Sequence, residues 1–339
     1  MPDERYQNTP TVVTTDISQA ARALRQGRLV AFPTETVYGL GANAWDADAV
    51  ARVFAVKQRP FFDPLIVHLG DFGLLPQIVR DVPPLAQRLI KAFWPGPLTL
   101  VLPKQPRVPD LVTSGLPTVA VRMPSAPLAR RLLRMAAVPV AAPSANLFGR
   151  VSPTDAEAVV EQLAGRIPLV LDGGVCSVGV ESTVVQPTAN GVLLLRPGGV
   201  PTEAIEGLGI PVHHAPHTPT ETADAPVERA PSPGMLPRHY APRTPLKFFE
   251  RPQDVPAELL TGPVGWLALG PPPAEWADRF VHVETLSPEG SDVEAARNLF
   301  AALRRLDAGP ARRIIAIAVP NTGLGRAIND RLRRAATST

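Results

Sequence analysis

Basic and hydroxyl-bearing residues recur in this sequence at the ends of short apolar runs. Lys57-Gln58-Arg59 closes a helical stretch and leads through Asp63 to His68. Arg122 ends the run TVAVR, and Arg196 ends another and is followed by Pro197-Gly198-Gly199. Thr34 lies in Pro33-Thr34-Glu35-Thr36, Ser144 and Asn146 in Pro143-Ser144-Ala145-Asn146, and Ser182 in Glu181-Ser182-Thr183. Arginine offers fork-shaped donors that match a carboxylate or phosphate, and lysine offers a point charge. Gathered together, these residues could hold two anions, such as a nucleotide and a small carboxylate-bearing molecule. Each also has an ordinary explanation. Lys57 and Arg59 can complement a helix dipole, Pro-Ser-Ala-Asn can be a plain turn, and His68 inside LIVHL can be a satisfied core histidine. The pattern as a set is harder to dismiss, because ligand sites in open α/β sheets collect at strand ends.

The elements that must position these residues can be read from periodicity and punctuation. Helices are expected at 18–26 with Ser18 as cap, 46–57 with Asp46 or Asp48 as cap, 84–93, 126–136, 154–164 and 202–207. Strands are expected at 29–32, 65–69, 98–102, 118–122, 138–142, 168–171, 182–186 and 192–196. Pro33 to Gly41 reads as a loop. Strands and helices mix without strict alternation, which predicts an α/β or α+β domain over 1–211, a twisted mixed sheet with flanking helices. Residues 212–246, rich in proline and holding His213, His214 and His217, read as an extended linker. Residues 247–339 read as a smaller parallel-sheet α/β domain, with strands at 264–269, 280–283 and 314–319 and helices at 291–307 and 324–335.

Composition narrows the function. Of 41 prolines in 339 residues, 15 fall between 211 and 273, which argues against long bundles or coiled coils. The single cysteine, Cys176, excludes an internal disulfide and any Cys-x-x-Cys site, which fits a reducing, cytoplasmic setting. No apolar run reaches membrane-spanning length, and MPDERYQNTP lacks the apolar stretch of a signal peptide. The only lysines are Lys57, Lys91, Lys104 and Lys247, so a phosphate-binding lysine has few candidates. No Gly-Lys pair occurs, which excludes a Walker-type site. Gly39-Leu40-Gly41 and Gly323-Leu324-Gly325 lack the third glycine of a dinucleotide fingerprint. The three histidines, without cysteine or acidic neighbours, read as solvated loop residues rather than metal ligands. No metal site is expected.

In their order, these clusters resemble the threonylcarbamoyl-AMP synthase family, whose catalytic part is a YrdC-like domain. The matching stretches are FPTETVYGLGANA (32–44), KQRPFFDPLIVHL (57–69), FWPGPLTLVL (93–102), TVAVRMP (118–124), APSANLFGRVSPT (142–154), ESTVV (181–185) and LRPGGV (195–200). SPGMLPRHYAP (232–242) is similar to the linker of the family's long, two-domain form. Phe61-Phe62 is a departure, bulky where many members carry small or basic residues; it is expected to alter loop packing rather than chemistry.

The resemblance implies that L-threonine, bicarbonate or CO2, and ATP become threonylcarbamoyl-AMP and pyrophosphate. It also implies that the product serves threonylcarbamoyladenosine formation next to the anticodon of tRNA, with hand-off to a tRNA threonylcarbamoyl transferase. By the same resemblance, Lys57, Arg59, Ser144 and Asn146 form the catalytic constellation. Thr34, His68, Arg122, Ala142 and Ser182 hold threonine. Arg59, Asp63, Thr118, Ser144, Ser152, Arg196, His239 and Tyr240 hold ATP, with Mg2+ expected on the phosphates and the linker closing over the nucleotide. The chemistry suits these residue types: the protein must bring two mutually repelling anions together and stabilise phosphoryl charge. A plain RNA-binding protein fits less well. Its basic residues are dispersed, aromatics are only 5%, and Arg331-Leu332-Arg333-Arg334 is explained as a solvated helix face. A carbamoyl-transferring relative from hydrogenase maturation would need Cys-x-x-Cys motifs that a single cysteine cannot supply.

Overall fold

The computed structural model describes residues 10–215 and 239–336. His217 and residues 232–238 of the linker stretch lie outside the described residues.

The first region runs β1 (Val12–Thr14), α1 (Ile17–Arg25), β2 (Val30–Phe32), β3 (Gly39–Asn43), α2 (Ala47–Lys57), β4 (Ile66–His68), α3 (Leu75–Ile78), α4 (Pro84–Phe93) and β5 (Leu98–Pro103). It continues with α5 (Asp110–Thr113), β6 (Thr118–Arg122), α6 (Pro127–Ala136), β7 (Val140–Ala141), α7 (Ala156–Leu163), β8 (Leu169–Leu171), β9 (Thr183–Thr188), β10 (Gly191–Arg196), α8 (Thr202–Glu206) and β11 (Val212–His214). The second comprises β12 (Leu246–Phe249), β13 (Val264–Ala268), β14 (Phe280–Thr285), α9 (Asp292–Ala308), β15 (Arg313–Ile317) and α10 (Gly325–Ala336).

The eleven strands of the first region form one mixed sheet, ordered β1-β8-β2-β3-β7-β4-β6-β5-β9-β10-β11. One face carries the largest apolar cluster, including Phe54 of α2 and Leu89 of α4. The other is covered by α1 and α6 through Leu24, Leu132 and Leu133. The second sheet, β12-β15-β13-β14, is parallel throughout. Its core under α9 and α10 also takes in Val37, Val151, Val180 and Tyr240, so this cluster joins the two regions.

The expected α/β architecture is present, with local corrections. The first helix is capped by Asp16, whose carboxylate accepts from the Ser18 amide at 2.7 Å, rather than by Ser18. Asp46 caps α2 through the Ala49 amide at 3.0 Å. The last three residues of the loop expected over 33–41 belong to β3, whose glycines conceal a strand. A Cβ on Gly41 would sit 2.8 Å from both Phe32 Cε1 and Val140 Cγ1, so the packing between neighbouring strands demands glycine there. β1 was not anticipated, being short and exposed at the sheet edge. His213 and His214 lie not in a loop but in β11, which pairs in parallel with β10 at the opposite edge.

Register sets the site. In the parallel pairing of β4 with β6, His68 stands beside Arg122. β5 pairs with β9 and brings Leu98 level with Thr183, next to Ser182. A bridge between Gly39 and Ser144 draws the Pro-Ser-Ala-Asn turn to the same place.

Candidate active site

These strand ends surround a cleft of about 500 Å³, its open mouth included. Of the residues singled out from the sequence, Thr34, Arg59, His68, Arg122, Ala142, Ser144, Ser182, Arg196, His239 and Tyr240 line it. Lys57, Asp63, Asn146 and Ser152 stand behind the wall and hold lining residues or their loops. Thr118 is at the other end of β6 from Arg122, opposite Pro103 of β5, and does not line the cleft.

One corner is built around Arg122. Its Nη1 donates to Thr36 Oγ1 at 3.2 Å, and its Nη2 lies 3.4 Å from the Glu35 carboxylate. Thr34 and Thr36 share a hydroxyl hydrogen bond of 2.8 Å. The Ser125 amide donates to Glu35 Oε2 at 3.1 Å. Arg122 Nε, buried at the cleft, has no partner among the described residues. Burial lowers the Arg122 pKa and Glu35 opposes it; the guanidinium stays cationic because its ordinary value lies so high. His68 is driven well below the usual histidine value by burial and then by Arg122, so it is a neutral wall at pH 7. It meets Phe32 edge-on at 6.1 Å.

A second group is organised by the end of α2. Lys57 is 1% exposed, and its ammonium donates to the carbonyls of Ser144 at 2.6 Å and Asn146 at 2.5 Å. The expected phosphate lysine thus holds the Ser-Ala-Asn turn in shape. Burial and the neighbouring Arg59 push its pKa well down. Arg59 pairs with Asp63 at 2.8 Å and donates to the Pro64 carbonyl at 2.9 Å, while reaching the cleft wall.

The other corner centres on Arg196, whose Nε and Nη2 donate to the Ser182 carbonyl at 3.2 and 2.9 Å. Ser182 Oγ also meets Arg196 Nη2 at 3.2 Å and Thr99 Oγ1 at 2.8 Å. Glu181 accepts from Ser152 Oγ at 2.6 Å on one oxygen and from Arg331 Nε at 2.8 Å on the other. His239 and Tyr240 close this side, with ring centroids 4.1 Å apart, and Tyr240 stacks on Phe300 of α9 at 5.7 Å. Burial, then the charges of Arg59 and Lys57, keep His239 neutral. His239 Nδ1 and Tyr240 Oη have no partner among the described residues.

Sequence reasoning missed the acids and one cation. Glu35 and Glu181 have no role of their own in the sequence reading, although each precedes a hydroxyl-bearing residue. Arg331, expected on a solvated face, is fully buried. The signal was present: Ile328, Arg331, Leu332 and Ala335 are all buried at i, i+3, i+4 and i+7 on α10. An arginine in a core stripe needs a buried acid.

The arrangement gathers three arginines, Arg59, Arg122 and Arg196, and offers no activated nucleophile. Burial pushes the Cys176 thiol up to about 12, so it is not a thiolate. Ser182 is tied to Thr99 and Arg196, neither of them a base. No cluster of three His, Cys, Asp or Glu side chains that could hold a metal occurs among the described residues. The wall acids Glu35, Asp63 and Glu181 face Arg122, Arg59 and Arg331 respectively.

Comparison with known proteins gives a consistent result. A family model described as "Telomere recombination" matches residues 22–198. One described as "Threonylcarbamoyl-AMP synthase, C-terminal domain" matches residues 200–337. The chain is 44% identical to the threonylcarbamoyl-AMP synthase of Pyrococcus abyssi, over 93% of this chain and 92% of that one. It is 42% identical to the protein of that name from Bacillus subtilis, over 98% and 95%. The crystal structure of P. abyssi Sua5 complexed with L-threonine superposes with a TM-score of 0.84 at 41% identity, covering 97% of each chain. No helix among the described residues is long and apolar enough to cross a membrane.

Proposed function

The chain belongs to the threonylcarbamoyl-AMP synthase family, and from that premise we propose that it is the nucleotidyltransferase that converts L-threonine, bicarbonate or CO2, and ATP to L-threonylcarbamoyl-AMP and pyrophosphate. The observation that carries the reading is the pairing of two cationic corners in one cleft, Arg122 with neutral His68 on one side and Arg196 with Arg59 on the other.

Arg122 takes the threonine carboxylate. Its buried Nε has no partner among the described residues, while Thr36 and Glu35 fix its other nitrogens. Thr34, His68, Ala142 and Ser182 enclose the rest of the amino acid. Hydrogen bonding to the threonine hydroxyl rejects analogues lacking it. Arg59 and Arg196 take the phosphates, and His239 and Tyr240 cover them. Asp63 and Ser152 support the nucleotide side from behind, through Arg59 and Glu181.

The threonine amine adds to CO2 and loses a proton, giving a carbamate. A carbamate oxygen forms the new bond to the α-phosphorus, and the bond to the β-phosphate oxygen breaks, its electron pair leaving with pyrophosphate. The protein forms no covalent intermediate. Lys57 holds the Ser144–Asn146 turn, and the arginines offset charge on the phosphoryl oxygens as it develops. Mg2+ would arrive with ATP and supply further charge neutralisation on the phosphates. With the wall acids already facing arginines, the donor set fits a cation carried on phosphate oxygens rather than in a protein cage. The product would pass to a tRNA threonylcarbamoyl transferase, placing the protein in the cytoplasm with its tRNA pathway.

Pyrophosphate release from ATP and bicarbonate, measured with and without L-threonine, tests the reading. Release should require threonine, and threonine-independent release would falsify it.

A further inference from the structure

Arg331 comes from α10 of the second region, yet it reaches the back of the cleft. Its Nε donates to Glu181 Oε2 at 2.8 Å and its Nη2 to the Pro197 carbonyl at 3.1 Å. Its Nη1 donates to Asp330 at 2.6 Å, and its guanidinium lies 4.9 Å from the centre of the Tyr240 ring. Glu181 precedes Ser182 and Pro197 follows Arg196, so one guanidinium grips both segments that carry the Arg196 corner.

We propose that Arg331 is a positioning residue for ATP: by occupying one oxygen of Glu181 it keeps that carboxylate off Arg196, which stays turned to the phosphates. The inference rests on the synthase reading above and adds a role for a side chain of the second region.

Glu181 lines the cleft and is close enough for its charge to act on Arg196. A buried carboxylate without its partner is strongly unfavourable and recruits another cation within reach. In the intact chain its oxygens are both taken, one by Ser152 and one by Arg331. Without the Arg331 guanidinium, Glu181 turns to Arg196 instead. The phosphate anchor then becomes half of an internal ion pair, and an acid stands beside the phosphates. The Arg122 corner shares none of Arg331's partners, so the carboxylate anchor of threonine is spared, and only Ser182, beside Glu181, links the two corners.

Steady-state pyrophosphate release by the full chain tests this with Arg331→Met, Glu181→Gln and the double variant. Arg331→Met is expected to raise KM for ATP by about tenfold or more and KM for threonine by less than about threefold. In the double variant the Glu181 carboxylate is gone and Asp330 keeps its bond from Arg334 at 3.0 Å, and KM for ATP should return to within about threefold of the parent. A double variant as impaired as Arg331→Met overturns the proposal, because loss of packing alone would persist. So does an unchanged KM for ATP in Arg331→Met. Should that variant not fold, Arg331→Lys carries the test: one amine cannot span Glu181 and Pro197, so KM for ATP rises while KM for threonine holds, and an unchanged ATP KM again overturns the idea. A parent protein that releases no pyrophosphate with threonine would instead defeat the synthase reading itself.

Discussion

The two corners of the cleft are built on different plans. The Arg122 corner is mostly self-contained: Thr34, Glu35, Thr36, His68 and Arg122 all come from the first 122 residues, and its side-chain contacts are largely with one another, with the Ser125 amide added. The Arg196 corner is braced from outside. Arg331 holds Glu181 and Pro197, Phe300 backs Tyr240, and Arg304 donates to the Ser152 carbonyl at 3.1 Å and pairs with Asp155 at 2.5 Å. The backbone of α9 comes so close to Gly179 that a Cβ there would lie 2.3 Å from Arg297 Cα. The difference teaches that one corner draws most of its contacts from the large sheet, whereas the other depends on how the second region is seated.

The strongest way to break this division is at the residue between the corners. Lys57→Ala leaves the Ser144 and Asn146 carbonyls without their shared donor, and kcat should fall by about a hundred- to a thousandfold with the circular dichroism of the fold intact. Near-normal kcat would remove Lys57 from the machinery. Arg122→Ala should raise KM for threonine about a hundredfold with much less effect on KM for ATP; equal changes in both would show the corners to be coupled. Gly179→Ala attacks the brace through both its positive φ of 81° and the contact with α9. Urea unfolding should show a loss of about 2 kcal/mol, and KM for ATP should rise more than KM for threonine. The last test is with pH. Burial keeps His68 and His239 from accepting a proton in the folded chain, against an ordinary value of 6.5. Below pH 6.5 the unfolded state therefore binds more protons, and stability falls as pH drops, by about 1.4 kcal/mol per unit for each histidine. A flat unfolding free energy between pH 6.5 and 5 would refute their burial as neutral rings.

Much of the self-contained corner was legible in the sequence, because its polar residues end apolar strands and the register of adjacent strands does the rest. Lys57 was legible by position but not by partner: its carbonyl acceptors are 87 and 89 residues away. β3 was hidden because glycine reads as loop, while its reason for being glycine lies on Phe32 and Val140 of neighbouring strands. The braced corner was legible only by half. Arg196, Ser182 and His239 stand in recognisable stretches, but Arg331 sits among arginines on an outwardly basic helix. Only the burial stripe of α10 marks it as inward, and its acid lies in a distant segment.

Glu181 and Arg331 are 150 residues apart. During synthesis at about 5–20 residues per second, Glu181 is made many seconds before its counter-charge exists. The Arg122 corner can settle in that interval, since every residue of it has already been translated. The nucleotide corner cannot reach its final electrostatic balance until α10 has been made and docked. On the proposed reading, the docking of α10, rather than the making of Glu181, is therefore the step that readies the phosphate anchor.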